Sequence, residues 1–461
     1  MSPPLPRALI VHNLTNCNKI VGDFIFLLPF KSRASLSLIM TAQLELQRAS
    51  NRASHSKERI LNYTVLVSGL GYFVDIYDLL LFGIVRVASL KGMGVPESEF
   101  LRVGIYLVNF QMIGMLVGGV VWGMIGDKRG RVSVLFGSIL IYSAANILNA
   151  FVSSVDMYGL LRFIAGFGLA GELGAAITLV TETMGKEKRG YGTTLVAAIG
   201  ILGAVCAGII GDLFNWRTCY LIGGGMGLLL LVMRLSVFES TMFKATRKLS
   251  TSQKIRRGDV RMLFYPWPRF IKYIRCILIG VPIWFAIGIT ITFSPELAKE
   301  MGVTGPVSAG RAILFSYLGA SIGNLICGLL SQRWKSRKKA TFAFLLLLLF
   351  FVGVTLFSNS LTPFYFYTLC VLIGLGTGYW TVFMTIAAEQ FGTNLRATAT
   401  TTVPNFVRAS VVVLTICFHE LGKSIGMIYS AWAVGCLTIA IAVASLYWMR
   451  ETFGEDLNFT E

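Results

Sequence analysis

Two aspartates, Asp75 and Asp78, stand three residues apart in GYFVDIYDLLLFG (residues 71–83), a stretch otherwise suited to hydrocarbon. On a helix that spacing turns both carboxyls to roughly one side. A charge at mid-bilayer costs roughly 2.5–3.5 kcal/mol on insertion scales, so such groups persist where they are paired, wetted or used. The chain carries five of them inside apolar runs: the acids Asp75, Asp78 and Glu172, and the arginines Arg162 and Arg408. The chemistry open to this set is reversible protonation. A carboxyl drawn out of water holds its proton more firmly, and a neighbouring guanidinium loosens it. Making and breaking one such contact takes up and releases a proton.

The elements that must hold these groups are membrane helices. Of 461 residues, 55% are hydrophobic and 14% charged, and mean hydropathy is +0.69. A soluble domain would carry about a quarter charged residues. Runs long enough to cross a bilayer, about 20 helical residues, are predicted at 61–84, 104–125, 132–152, 157–183, 192–214, 218–238, 273–297, 309–331, 340–358, 362–388, 398–420 and 423–449. The fold class expected is all-α integral membrane, twelve transmembrane helices in two six-helix pseudo-symmetric bundles.

Depth along these spans suggests which charges meet. If the first span rises from the side where the chain begins, Asp78 lies about six residues below its far end and Arg162, descending in the fourth, about five residues below the same surface. The two are expected at one level, as a proton-coupling pair or as a static ion pair. Glu172 is expected near mid-membrane, lining a cavity. Arg408 is the second-half candidate for gripping an anionic solute group, with pairing to a first-half acid as the alternative. Asn324, Tyr379, Trp380 and Asn405 offer polar or aromatic edges to the cavity, or else pack helices. Arg234 and Arg311 are expected to snorkel from span ends.

The net charge of +18 follows topology. Alternate connections and the tail at 41–60 hold 27 lysines and arginines, and the opposite side holds six, Arg86 among them. The positive-inside rule then puts both termini and the central loop in the cytoplasm, in a bacterial inner membrane. The charge touches lipid headgroups and gives no reason to expect nucleic acid. The eight cysteines are scattered without metal-ligand spacing, so no metal and no cofactor is expected. The organisation expected is a tail at 1–57, a first bundle at 58–238, a central loop at 239–272, a second bundle at 273–450 and a tail at 451–461. Met40 opens a polar stretch leading into the first span, and residues 1–39 read as an over-extended start.

The halves repeat. ETMGKEKR at Glu182–Arg189 and EQFGTNLR at Glu389–Arg396 each place a glutamate and an arginine seven apart at a span exit, 207 positions apart. GMIGDKRGR from Gly123 and GLLSQRWKSR from Gly328 are offset by 205, with Gln332 where the first copy has Asp127. Parallel repeats about an axis along the membrane normal are a transporter architecture, with solute held between the halves.

Gly123, Asp127, Lys128, Gly130 and Arg131 resemble the signature G-x-x-x-D-[RK]-x-G-R-[RK] between the second and third helices of the major facilitator superfamily, with Val132 in the last basic position. RFIAGFGLAGE (162–172), TETMGKEKRG (181–190), Trp216-Arg217 and ESTMF (239–243) resemble its metabolite:proton symporter and sugar-porter branches. IYDLLLFG resembles the symporters' first-helix pattern, with its aspartate at Asp78, and Arg162 matches their fourth-helix arginine; Asp75 has no clear counterpart. The resemblance implies proton coupling through Asp78 and Arg162. It also implies a cytoplasmic gate made by the 2–3 loop residues with Glu182, Arg189, Glu389 and Arg396. Physically, Asp127 ends a helix where Arg131 and a helix N-terminus attract it, and Gly123 and Gly130 permit close approach and a tight turn. A topology signal with a loop cap is the plainer role.

The function expected is proton-coupled symport of a small organic solute by alternating access, with the single chain as the working unit. Two deep arginines favour an organic acid, amino acid or betaine-like zwitterion over a neutral sugar. The alternatives are a sugar uniporter or symporter and a proton-driven efflux antiporter. Against export, VAAIGILGAVCAGIIG (196–211) lacks the glycine–proline signature that exporters of this superfamily carry in their fifth helix. No nucleophile–base pair or nucleotide motif supports an enzyme.

Overall fold

The apolar runs become helices that begin and end at serine, proline and glycine. The computed structural model describes residues 63–129, 131–172, 174, 189–238, 264–392 and 395–454. The first half comprises α1 (Tyr63–Gly92), α2 (Phe100–Arg129), α3 (Arg131–Asn149), α4 (Val155–Leu169), α5 (Arg189–Leu213) and α6 (Trp216–Phe238). The second comprises α7 (Trp267–Phe285), a π-helical turn (Ala286–Ile291), α8 (Ser294–Glu300), α9 (Ala309–Arg333), α10 (Arg337–Leu356), α11 (Pro363–Gly376), α12 (Trp380–Glu389), α13 (Arg396–Ile425) and α14 (Met427–Tyr447). Among the described residues no strand occurs, and nine helical stretches are long and apolar enough to cross a membrane. The chain is an integral membrane protein.

Local chemistry sets the boundaries. Ser154, Ser308 and Ser336 each accept a backbone N–H of the helix they precede, from Met157, Arg311 and Lys339. A hydroxyl cap of this kind satisfies one of the orphan donors at a helix start. Pro363 opens α11, where its missing N–H costs nothing. Gly426, at φ +82°, makes the turn from α13 to α14.

The duplication read from the loops reappears in the packing. In the first half α1 pairs with α5, α2 with α4 and α3 with α6; in the second α7 pairs with α13, α9 with α11 and α10 with α14. The halves meet along α2–α13 and α5–α9, also equivalent positions. Glycine makes two of these pairings close. Gly114 and Gly118 of α2 lie against the carbonyls of Phe163 and Phe167, and Gly319 and Gly323 of α9, 205 positions later, against those of Val371 and Leu375. A Cβ at any of the four would strike the facing backbone, so small residues bring the axes together.

The end bearing the starts of α1, α3, α5, α7 and α10 is the basic end; the other is the far end. Gly130 and Glu182 lie outside the described residues, as do the side chains of Asp127, Lys128, Arg131, Arg189 and Arg396. Gly123 is buried, with no atom near where a Cβ would stand.

Candidate functional site: a cavity between the halves

A cavity of about 340 Å³ runs between the halves from Arg408 towards the basic end at Glu389. Its walls combine aromatic and hydroxyl side chains: Tyr72 of α1, Trp284 of α7, Tyr317 of α9, Trp380 and Thr381 of α12. Two helices are broken beside it. The π-helical turn follows Trp284, and residues 377–379 separate α11 from α12. Asn324 repairs the second break, its Oδ1 accepting the Thr381 N–H at 2.9 Å and the Thr381 hydroxyl at 2.8 Å.

Arg408 is the cation of this cavity. It is buried, and its guanidinium lies 5.8 Å from the centre of the Trp284 ring. Its Nη2 stands 3.7 Å from Asp75 Oδ2, while Nε and Nη1 have no hydrogen-bond partner among the described residues. Neither Asp75 oxygen accepts a hydrogen bond among those residues. The pair therefore joins the first half to the second by a contact longer than a hydrogen bond, and it leaves Nη1, which forms the head of the guanidinium fork with Nη2, without a partner among the described residues. A fork of this shape matches a carboxylate with two parallel N–H donors.

The structure gathers the deep charges into one cluster but distributes the partners differently from the expected pairing. Arg162 is near Asp78, yet its Nη2 donates to Asn146 Oδ1 at 2.7 Å and its guanidinium lies 4.8 Å from the Tyr220 ring centre. Neither Asp78 oxygen has a donor among the described residues. Glu172 is outside the wall of the cavity and is bound by Arg234: Nη1 donates to Oε2 at 3.1 Å, and Nη2 to Oε1. Arg234 thus does not snorkel. It is buried because a carboxylate inside the bundle compensates its charge. Arg311 reaches the far end as expected, where its Nε donates to Asp212 Oδ2 at 2.7 Å.

Of the four polar or aromatic candidates, Asn324 and Trp380 line the cavity. Tyr379 is fully buried elsewhere and donates to the Ile279 carbonyl at 3.0 Å. Asn405 bridges the halves, its Nδ2 donating to the Ala170 carbonyl at 3.0 Å. Glu389 lines the basic end of the cavity, and its bonds run within the second half, to Arg337 Nη2 at 3.3 Å and the Thr452 hydroxyl at 2.6 Å.

Sequence reasoning missed Arg86, Glu296 and Tyr142. Arg86, counted there among residues outside the membrane, is fully buried at the far end of α1. Its Nη1 and Nη2 donate to Glu296 Oε1 and Oε2 of α8 at 2.6 and 2.7 Å. With Arg311–Asp212, this pair ties the halves together at the far end while the cavity extends to the basic end. Tyr142 of α3 stands among Asp75, Asp78, Glu172 and Arg234. The available signal for Arg86 was its position, six residues before the end of an apolar helix.

Two repeated helical bundles enclosing a solute-sized, aromatic and ion-bearing cavity define a membrane transporter. The chain belongs to the Major Facilitator Superfamily, whose profile matches residues 69–415. It is 26% identical to the niacin transporter NiaP of Acinetobacter baylyi, over 73% of this chain and 82% of that one. It is 25% identical to the gentisate transporter of Corynebacterium glutamicum, over 75% and 81%, and 24% identical to the benzoate transport protein of Acinetobacter baylyi, over 72% and 78%. Among solved structures, a D-xylose-proton symporter superposes with a TM-score of 0.64 at 15% identity, covering 85% of this chain and 99% of that one.

Proposed function

We propose that this transporter imports a small aromatic monocarboxylate together with protons across a bacterial inner membrane. The observation that carries the reading is the open guanidinium fork of Arg408 within an aromatic-walled cavity. A carboxylate across Nη1 and Nη2, the parallel pair at the head of the guanidinium, would satisfy the unpartnered Nη1 and engage the Nη2 that faces Asp75, and a flat ring would lie between Trp284, Tyr317 and Trp380. Niacin, gentisate and benzoate, the solutes in the relatives' names, are all aromatic acids. The cavity volume suits one such molecule.

Coupling follows from competition for Arg408. Asp75 sits at long range from a guanidinium that a solute carboxylate would engage at hydrogen-bond range. With its counter-charge taken, an ionised Asp75 in a dry site is disfavoured, so solute binding and protonation of Asp75 favour each other. Asp78, with Arg162 beside it, is the second acid of the cycle and the one the symporter pattern marks. The bundles at 58–238 and 273–450 rock about this cluster, alternately opening the basic end, which faces the cytoplasm with both termini, and the far end. The cytoplasmic gate in this reading is Gly123, Asp127, Lys128, Gly130, Arg131, Glu182, Arg189, Glu389 and Arg396.

The test uses purified protein in proteoliposomes with labelled benzoate and nicotinate. An inward proton gradient is expected to drive accumulation, with alkalinisation outside. Asp78→Asn is expected to abolish accumulation and spare solute exchange. Undiminished accumulation by that variant would refute the coupling scheme, and binding of sugars but no acid would refute the solute class.

A further inference from the structure

A second cavity, also about 340 Å³, lies at the basic end of the second half, between the first turns of α7, the end of α12 and the residues that follow α14. Its walls carry three cations, Lys272, Arg275 and Arg450, and one carboxylate, Glu389. Lys272 and Arg275 are three residues apart, so α7 turns both to roughly one side.

The acceptors around this cavity are engaged from within the protein. Glu389 accepts from Arg337 Nη2 at 3.3 Å and from the Thr452 hydroxyl at 2.6 Å. The Gln390 carbonyl accepts from Lys272 Nζ at 2.9 Å, and the Trp448 carbonyl from Arg275 Nη1 at 3.2 Å. Both carbonyls belong to helix ends, where a cation is favoured. Capping uses little of Arg275, however: its Nε and Nη2 make no hydrogen bond among the described residues. The charge of Glu389 is matched by Arg337, which stands outside the cavity wall. What enters the cavity therefore meets an excess of positive charge and a partly open guanidinium fork.

The surroundings say where a matching anion comes from. Tyr265 and Trp267 at the start of α7, and Tyr447 and Trp448 at the end of α14, are exposed, and the two helices pack together. Large aromatic rings bared at adjoining helix ends suit the headgroup layer of a bilayer, where each ring has one side in hydrocarbon and the other in water. The phosphates of the lipids lie in that same layer. Arginine meets a phosphate with two parallel donors, and lysine adds a point charge.

We propose that this cavity binds the phosphate of an anionic phospholipid headgroup, with Arg275 as the fork and Lys272 and Arg450 as the surrounding charge. Basic pockets between transmembrane helices are suited to such headgroups. Glu389 lines the solute cavity as well, so a lipid held here stands one side chain away from the basic-end mouth of that cavity. The site requires neither a particular solute nor proton coupling.

The purified protein in a neutral detergent is titrated with phosphatidylglycerol, phosphatidylcholine or inorganic phosphate while its melting temperature is followed. Phosphatidylglycerol is expected to raise it by about 3 °C or more beyond phosphatidylcholine, and inorganic phosphate to leave it in place. Arg275→Gln removes the fork and its charge and is expected to lose most of the difference between the two lipids. Lys272→Gln gives an independent reading of the same cavity should Arg275→Gln fail to fold, with a smaller loss expected. Arg333→Gln removes an equal charge from an exposed arginine at the end of α9, outside the cavity, and is expected to keep the full difference. Equal responses of the wild-type protein to the two lipids overturn the proposal. So does an undiminished difference in both cavity variants, or an equal loss in Arg333→Gln, which would make the effect one of overall basic charge. Inorganic phosphate that reproduces the phosphatidylglycerol shift overturns the lipid assignment in favour of a site for the free anion.

Discussion

Arg86 and Glu296 form a bidentate ion pair between α1 and α8, 2.6 and 2.7 Å long, in which the guanidinium is fully buried and the carboxylate is 17% exposed. The same arginine donates to the carbonyls of Phe100 and Thr292 and lies 4.7 Å from the Phe293 ring centre. These contacts fasten the far end of the first half onto the second. Removing one partner of a buried pair leaves an uncompensated charge, which costs about 3 kcal/mol or more.

Glu296→Gln is therefore expected to shift the protein towards a state open at the far end. Ile313 packs beside Gly83 between the halves near that end. A cysteine there, in a background free of other cysteines, is expected to react several-fold faster with an impermeant maleimide once Glu296 is changed. An unchanged labelling rate would show that other contacts hold this end shut.

Arg408→Gln removes the fork and its charge. Hydrogen bonds to charged groups contribute about 1.5–3 kcal/mol each, so the KM for nicotinate is expected to rise at least ten-fold. The ratio of nicotinate to nicotinamide affinity is expected to collapse towards one. Arg408→Lys keeps the charge and loses the planar fork, so it is expected to fall between the two. Competition binding with labelled nicotinate measures all three.

Gly114 and Gly319 occupy equivalent positions against a facing carbonyl. Alanine at either forces its helix pair apart, and overpacking of this kind costs about 1–3 kcal/mol. Both substitutions are expected to lower the melting temperature in detergent, and by similar amounts. A loss at one site and none at the other would mean the halves are not held by the same contact.

Glu451, beyond the end of α14, caps the start of α10. Burial alone would raise its carboxyl, but the Ser336 hydroxyl and the backbone N–H groups of Arg337, Lys338 and Phe453 together hold it below the usual range. A carboxyl depressed in the folded state stabilises above its unfolded pKa, and that contribution is lost as pH falls through the folded value. The wild-type melting temperature is therefore expected to drop on acidification below about pH 4, and Glu451→Gln to flatten that limb of the profile. A variant that keeps the full acid dependence would assign it elsewhere.

The apolar spans, the repeat and five of the deep charges (Asp75, Asp78, Arg162, Glu172 and Arg408) were legible in the sequence, because each is written in local composition or in a fixed offset; Arg86 and Arg234 were not. The partners were not. Asp75 meets Arg408, and Arg86 meets Glu296 210 positions away; nothing within one helix specifies such a choice. Depth along a span placed Arg162 and Asp78 near each other, but Asn146 and Tyr220, polar or aromatic residues in otherwise ordinary helices, take up the guanidinium. Arg234 misled because a position near a helix end fits snorkelling as well as burial, and only the location of Glu172 decides. Tyr379 and Trp380 are neighbours in sequence, yet only Trp380 lines the cavity, while Tyr379 turns to the Ile279 carbonyl; successive residues at a helix start point about 100° apart.

Helix α1 spans 30 residues without a proline and carries, in order, Tyr72 on the cavity wall, Asp75 and Asp78 in the charge cluster, and Arg86 at the far-end closure. Asp75 and Arg86 are about 16 Å apart along its axis. The rod behaves as a lever: tilting it by about 10° about one of these points sweeps the other sideways by about 3 Å, enough to sever a hydrogen bond. The cavity wall, the charge cluster and the far-end ion pair ride on one stiff beam, and no messenger between them is required for each to register what happens to the others.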